Sequence, residues 1–90
     1  MKTFSMCLLL SLAALLPVES WAQAPSDMSC QELWMARNQI YADAGYCFKT
    51  ARAKAVFGEG CFPPYGQMNR PQQQRVAELQ RWETMRTCPK

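Results

Sequence analysis

Five cysteines and no histidine decide most of the chemistry open to this chain. Without an imidazole there is no Ser-His or Cys-His nucleophile pair, no histidine general base and no histidine metal ligand. After Cys7, the cysteines Cys30, Cys47, Cys61 and Cys88 are spaced 17, 14 and 27 residues apart. Cysteine zinc sites draw on pairs roughly two to four residues apart, and redox centres on Cys-x-x-Cys, so neither is expected. Structural disulfides remain. The carboxylates Asp27, Glu32, Asp43, Glu59, Glu78 and Glu83 are scattered, and no two are recognisably placed as an acid and base pair. No glycine-rich phosphate loop is present. The expectation is a protein that is not an enzyme, with no catalytic residues, no cofactor and no metal.

Arg37 is the side chain with the most to explain. It falls three residues after Trp34 and four before Tyr41, on an apolar stripe, and a guanidinium there must find acceptors. The structural expectation is that it bonds carbonyls of the 58–66 loop and stacks on Trp34 or Tyr41. The functional alternative makes it an anion-receiving group in a cleft. Asn38 beside it is expected to bond a loop backbone group. Phe62 and Tyr65 flank Pro63 and Pro64. They either fold back to lid a small core or protrude as a rigid platform for glycans or proteins. Arg37, Phe62 and Tyr65 are the candidate binding residues.

These side chains need a scaffold, and the N-terminus says where it is built. Lys2 precedes an apolar run from Phe4 to Leu16, broken only by Ser5 and Ser11 and ended by Pro17. That run is shorter than the roughly 20 residues a spanning helix needs. Small-x-small patterns occur at Ser20-Trp21-Ala22 and Ala22-Gln23-Ala24, and Pro25 directly after the second would hinder a protease. Residues 1–22 therefore read as a signal peptide cleaved after Ala22, with an uncleaved anchor as the alternative. Cys7 leaves with it, and an even set of four cysteines remains. Residues 23–90 carry nine Lys and Arg against six Asp and Glu. That charge is too mild for a nucleic-acid footprint.

Residues 23–28 read as a short mobile leader. Ser29 and Glu32 form a capping box opening a helix from about Cys30 to Ala44, with Gly45 as its left-handed stop. Its apolar stripe is Cys30, Leu33, Trp34, Ile40, Tyr41 and Ala44. Thr50 caps a shorter helix from Ala51 to Phe57, with Ala53, Val56 and Phe57 inward and Gly58 at its end. Residues 58–66, rich in glycine and proline, form a loop. A third helix starts with Pro71 at its first position and runs to about Thr87, burying Val76, Leu79 and Trp82 or Met85. No alternating strand is evident.

The fold class is thus mostly α: a small two-to-three-helix, disulfide-stapled domain over 29–90 with a Gly/Pro-rich loop. So short a chain is marginal without staples. Four cysteines allow three pairings. Antiparallel first and third helices would set Cys30 beside Cys88 and leave Cys47 for Cys61, and this nested pairing is the one expected.

The segment from Glu32 to Lys49 resembles the YARHG domain, a family of small bacterial extracytoplasmic domains. Leu33, Trp34, Arg37, Asn38, Ile40, Tyr41, Ala42, Gly45, Tyr46 and Phe48 match its pattern. Asp43-Ala44 replaces the name-giving Arg-His pair, so nothing assigned to that pair carries over. Val56-Phe57 and Phe62-Pro63-Pro64-Tyr65 resemble downstream family positions more loosely, and Gln74 to Met85 is similar to the closing helix. The resemblance implies export and fold more than an activity. The expected role is an exported binding module of the bacterial envelope, periplasmic or secreted, monomeric, and with no transmembrane segment after cleavage. Its partner is expected to be an envelope protein or an anionic glycan such as peptidoglycan, not nucleic acid. A secreted inhibitor of a lytic or proteolytic enzyme is the alternative, and a membrane-active toxin a weaker third.

Overall fold

The computed structural model describes residues 23–90. The signal peptide, its cleavage after Ala22 and Cys7 lie outside the described residues. Among the described residues there are three α-helices, α1 (Cys30–Asp43), α2 (Ala51–Phe57) and α3 (Arg70–Met85), and a 3-10 turn at Pro25–Asp27. The domain is mostly helical and stapled by two disulfides.

Local chemistry sets the helix ends. At α1 the Ser29 hydroxyl accepts the Glu32 N–H, and the Glu32 carboxylate accepts the Ser29 N–H at 2.8 Å. Two of the backbone donors left orphaned at the helix start are thereby satisfied. The helix ends in a Schellman motif: Tyr46 N–H donates to the Tyr41 carbonyl and Gly45 N–H to that of Ala42. Gly45 sits at φ 74°, where a side chain is strained. A Cβ there would also overlap the Phe62 carbonyl and approach Phe62 Cδ1 to 2.8 Å. The loop can cross this helix end only because residue 45 has no side chain.

α3 opens one residue earlier than expected. Asn69 is its N-cap, Gln72 completes a second capping box, and Pro71 is the second helical residue rather than the first. It ends at Met85, with a second Schellman closure in which Cys88 N–H donates to the Glu83 carbonyl at 2.9 Å. Thr87 takes the left-handed position at φ 54°, an unusual place for a β-branched residue.

α1 packs antiparallel on α3, as the order of its cross-links shows. Cys30 is bonded to Cys88 with Cα atoms 5.5 Å apart, and Arg37 meets Glu83 further along. Met28, Leu33 and Leu79 form the core, with Ala36, Ile40, Trp82 and Cys88 packed against it. Residues 23–28 are therefore not a free leader. Pro25 and Met28 are buried, and Arg86 donates to the Ser26 carbonyl. Burying Met28 removes apolar surface that a core this small cannot leave in water.

The second staple, Cys47–Cys61, joins the 58–66 loop to the segment after α1, with Cα atoms 4.0 Å apart. Backbone bonds from Phe48, Cys61, Phe62 and Gly66 N–H lace the same two segments together. Val56, expected inward, is 47% exposed. With only two turns, α2 presents one narrow inner face, and Ala53 and Phe57 occupy it. On α3, Trp82 rather than Met85 takes the last inward position.

Candidate functional site

α1 has a second inward side. Trp34, Asn38 and Tyr41 lie beside the Leu33, Ala36 and Ile40 stripe and look toward the segment from Tyr46 to Ala53. Between them is a cleft of about 210 Å³. Trp34, Tyr41, Tyr46 and Phe48 supply its aromatic lining, and Arg37, Lys49 and Thr50 its polar groups. Phe48 is 5% exposed, whereas Trp34, Tyr41 and Tyr46 are half-buried.

The rings form a continuous ladder. Trp34 and Phe57 have centroids 5.9 Å apart, Phe57 stacks on Phe48 at 5.5 Å, and Phe48 meets Tyr46 edge-on at 5.3 Å. Tyr46 reaches Tyr41 at 5.5 Å, which is also the apolar contact of the Schellman motif. These are favourable geometries for ring quadrupoles. A cation closes each end. The Arg52 guanidinium lies 3.7 Å over Trp34 and also donates to Gln31, while that of Arg37 lies 6.0 Å from the Tyr41 centroid.

Arg37 is held from behind. Its Nε donates to Glu83 Oε1 at 2.7 Å and its Nη2 to Oε2 at 3.0 Å, a two-pronged pairing across the α1–α3 interface. Both side chains are about four-fifths buried. The Glu83 hydrogen bonds push the Arg37 pKa above its ordinary value against the opposing effect of burial, so the guanidinium is permanently charged. The loop carbonyls expected as its partners are not used, because Glu83 supplies a better-matched acceptor from the neighbouring helix. Asn38 likewise does not reach a loop. It donates to the Trp34 carbonyl at 2.9 Å, one turn back in its own helix.

Phe62 and Tyr65 do not lid the core. They are 47% and 59% exposed on the stapled loop. They line neither the cleft nor the two pockets beside Glu83, so they are not joined to Arg37 in one site. In the sequence Trp34, Tyr41, Tyr46 and Phe48 are motif positions with nothing local to mark them as a ligand surface, and Lys49 and Arg52 carry no signal of their own. The signal available was a run of aromatics on both sides of Gly45 followed by a lysine, but it takes the chain reversal at Gly45 to bring the two sides together.

The carboxylates are occupied elsewhere. Glu32 caps α1, Glu83 holds Arg37, Asp43 accepts from Gln39, and Glu59 and Glu78 face Lys54 and Arg75. Among the described residues no three Cys, Asp or Glu side chains gather as a metal-binding set, and no helix is long and apolar enough to cross a membrane. The family model for the YARHG domain matches residues 11–84, which takes in α1, α2 and all but the last residue of α3. No curated protein and no solved structure matches the chain.

Proposed function

The chain belongs to the YARHG domain family, one of small extracellular domains, and from that premise we propose that it is an exported, non-enzymatic binding module of the bacterial cell envelope. The observation that carries this reading is the aromatic cleft. A concave surface with ring walls and a few convergent polar groups is the usual form of a small-ligand site. Six of the residues that match the family pattern, Trp34, Arg37, Asn38, Tyr41, Tyr46 and Phe48, line it. Two disulfides support a location outside the cytoplasm, in the periplasm or the medium, reached through the signal at 1–22. The engagement of five of the six carboxylates among the described residues supports a role without catalysis.

Between the two kinds of envelope partner, a protein and an anionic glycan such as peptidoglycan, the cleft favours the glycan. Its ionisable groups include cations and no carboxylate. Co-sedimentation with purified sacculi tests this. Retention at low salt that weakens at moderate salt is expected, and no retention at low salt would remove the glycan.

The exposed Phe62 and Tyr65 favour one second reading. A rigid loop tied by Cys47–Cys61 and bearing two outward aromatics suits insertion into an enzyme groove. A panel of lytic and proteolytic enzymes assayed with and without the protein decides it. Uniform absence of inhibition would dispose of the inhibitor.

A further inference from the structure

We propose that the cleft between α1 and the 46–53 segment is a subsite for a single sugar ring that carries a carboxylate. This rests on the binding-module reading and gives its site a ligand class. Size comes first. About 210 Å³ falls below the roughly 300–1,000 Å³ of sites that enclose a drug-sized ligand, so the cleft admits one ring with its substituents.

Surface chemistry comes second. Trp34, Tyr41 and Tyr46 are half-buried lining residues that combine a ring with an N–H or O–H group, and buried Phe48 lies among them. A pyranose presents the matching surface, an apolar face of C–H bonds rimmed by hydroxyls. An amphipathic ring takes the first on its face and the second at its edge.

Charge comes third. The lining holds Arg37 and Lys49 and no Asp or Glu. Glu83 occupies Arg37 Nε and Nη2, and the Tyr41 side chain lies against the guanidinium on its other side. Lys49 is exposed and has no ion-pair partner among the described residues. An anionic group seated here meets one fixed cation and one mobile cation, with no like charge among the lining residues. A neutral sugar would leave Lys49 unmatched, whereas Arg37 already has Glu83.

The test is an amide and indole chemical-shift titration of the processed, oxidised protein with N-acetylmuramic acid and, separately, with N-acetylglucosamine, which lacks the lactyl carboxylate. The expected result is movement of the Trp34 indole and of the Tyr41 and Tyr46 amides. Binding of the muramic sugar should be about fivefold tighter, the scale of one partly exposed ion pair. Lys49→Gln should reduce that preference to near unity without changing the melting temperature. Equal binding of the two sugars, or a preference untouched by Lys49→Gln, overturns the proposal. So does a shift pattern centred on Phe62 and Tyr65. If neither sugar moves the cleft while sacculi still retain the protein, the subsite falls and the binding module stands. If sacculi fail to retain it while the muramic sugar binds as described, the polymer reading falls and the subsite stands.

Discussion

Replacing Arg37 by Lys keeps the charge and removes the planar fork, and the structure sets the size of the effect. Two charge-assisted bonds of 2.7 and 3.0 Å join Arg37 to Glu83, with the side chains 21% and 16% exposed. Fully exposed pairs contribute about 0.2–1 kcal/mol, and breaking a buried pair costs about 3–5 kcal/mol. A pair four-fifths buried lies between, so Glu83→Ala, which strands the guanidinium, should cost about 2 kcal/mol. Arg37→Lys retains a point charge and loses one prong, about 1 kcal/mol. In so small a domain 1 kcal/mol moves Tm by about 4–8 °C. Thermal unfolding of the oxidised protein at pH 7 should place Arg37→Lys about 4–8 °C and Glu83→Ala about 8–16 °C below the parent. The double-mutant cycle through Arg37→Ala and Glu83→Ala should show coupling above about 1 kcal/mol that persists in high salt, because the pair is shielded from counter-ions. Coupling within error of zero, or an unchanged melting temperature for Arg37→Lys, would refute the reasoning.

Four further outcomes are expected. Removing Cys30–Cys88, which closes 58 residues, should cost about 4 kcal/mol and removing Cys47–Cys61, which closes 14, about 3 kcal/mol, so denaturant midpoints of the paired Cys→Ala variants should fall in that order. Gly45→Ala should cost more than about 2 kcal/mol and Gly58→Ala about 1 kcal/mol, because both have positive φ but only the Gly45 Cβ strikes the Phe62 backbone; equal melting temperatures would contradict this. Thr87→Gly should raise stability by about 0.5–1 kcal/mol by relieving a left-handed β-branched residue, and a loss on thermal unfolding would count against it. The Ser29 backbone N–H, then its hydroxyl, hold the Glu32 carboxyl below the usual carboxylate range. Its stabilisation is therefore complete above the unfolded value of about 4.3 and is lost as pH falls through the lower folded value. The melting-temperature difference between parent and Glu32→Gln should be constant at neutral pH and close in acid; a gap that widens in acid would reverse the sign.

What could be read from the sequence was governed by interactions within a few residues. Ser29 with Glu32, Thr50 with Ala53, and Gly45 beyond Asp43 are caps whose partners lie one turn away, and they gave the helix bounds to within a residue or two. The Asn69 and Gln72 box is of the same kind. Pro71 masks it by inviting placement at the first helical position, whereas the second is equally compatible with its missing N–H. Long-range partners were another matter. Nothing local to Arg37 distinguishes a loop carbonyl from a carboxylate 46 residues away. The burial of Met28 depends on where Leu79 lies. The exposure of Phe62 and Tyr65 follows from a loop pinned by Cys47–Cys61 and by four backbone bonds, which leaves it no freedom to fold over the core. The cleft is the extreme case, since its two walls come from either side of a chain reversal.

Arg37 belongs to both of the surfaces that α1 makes. Leu33, Ala36 and Ile40 face the core with Leu79, while Trp34, Asn38 and Tyr41 face the cleft, and position 37 lies on the boundary between the two stripes. Glu83 grips it from the α3 side and Tyr41 receives it on the cleft side. Substituting Arg37 therefore alters the α1–α3 junction and the cleft at once, and lost binding in such a variant would not separate a ligand contact from a shifted helix. Lys49 lines the cleft as an exposed residue, and Arg52, outside the cleft lining, covers the Trp34 ring; changes there alter the cleft's charge or that ring's cover while leaving the Glu83 pair in place. A dual role also accounts for an arginine at this position instead of an apolar residue. A leucine would pack the junction as well, but it would leave Glu83 uncompensated and the cleft without its fixed charge.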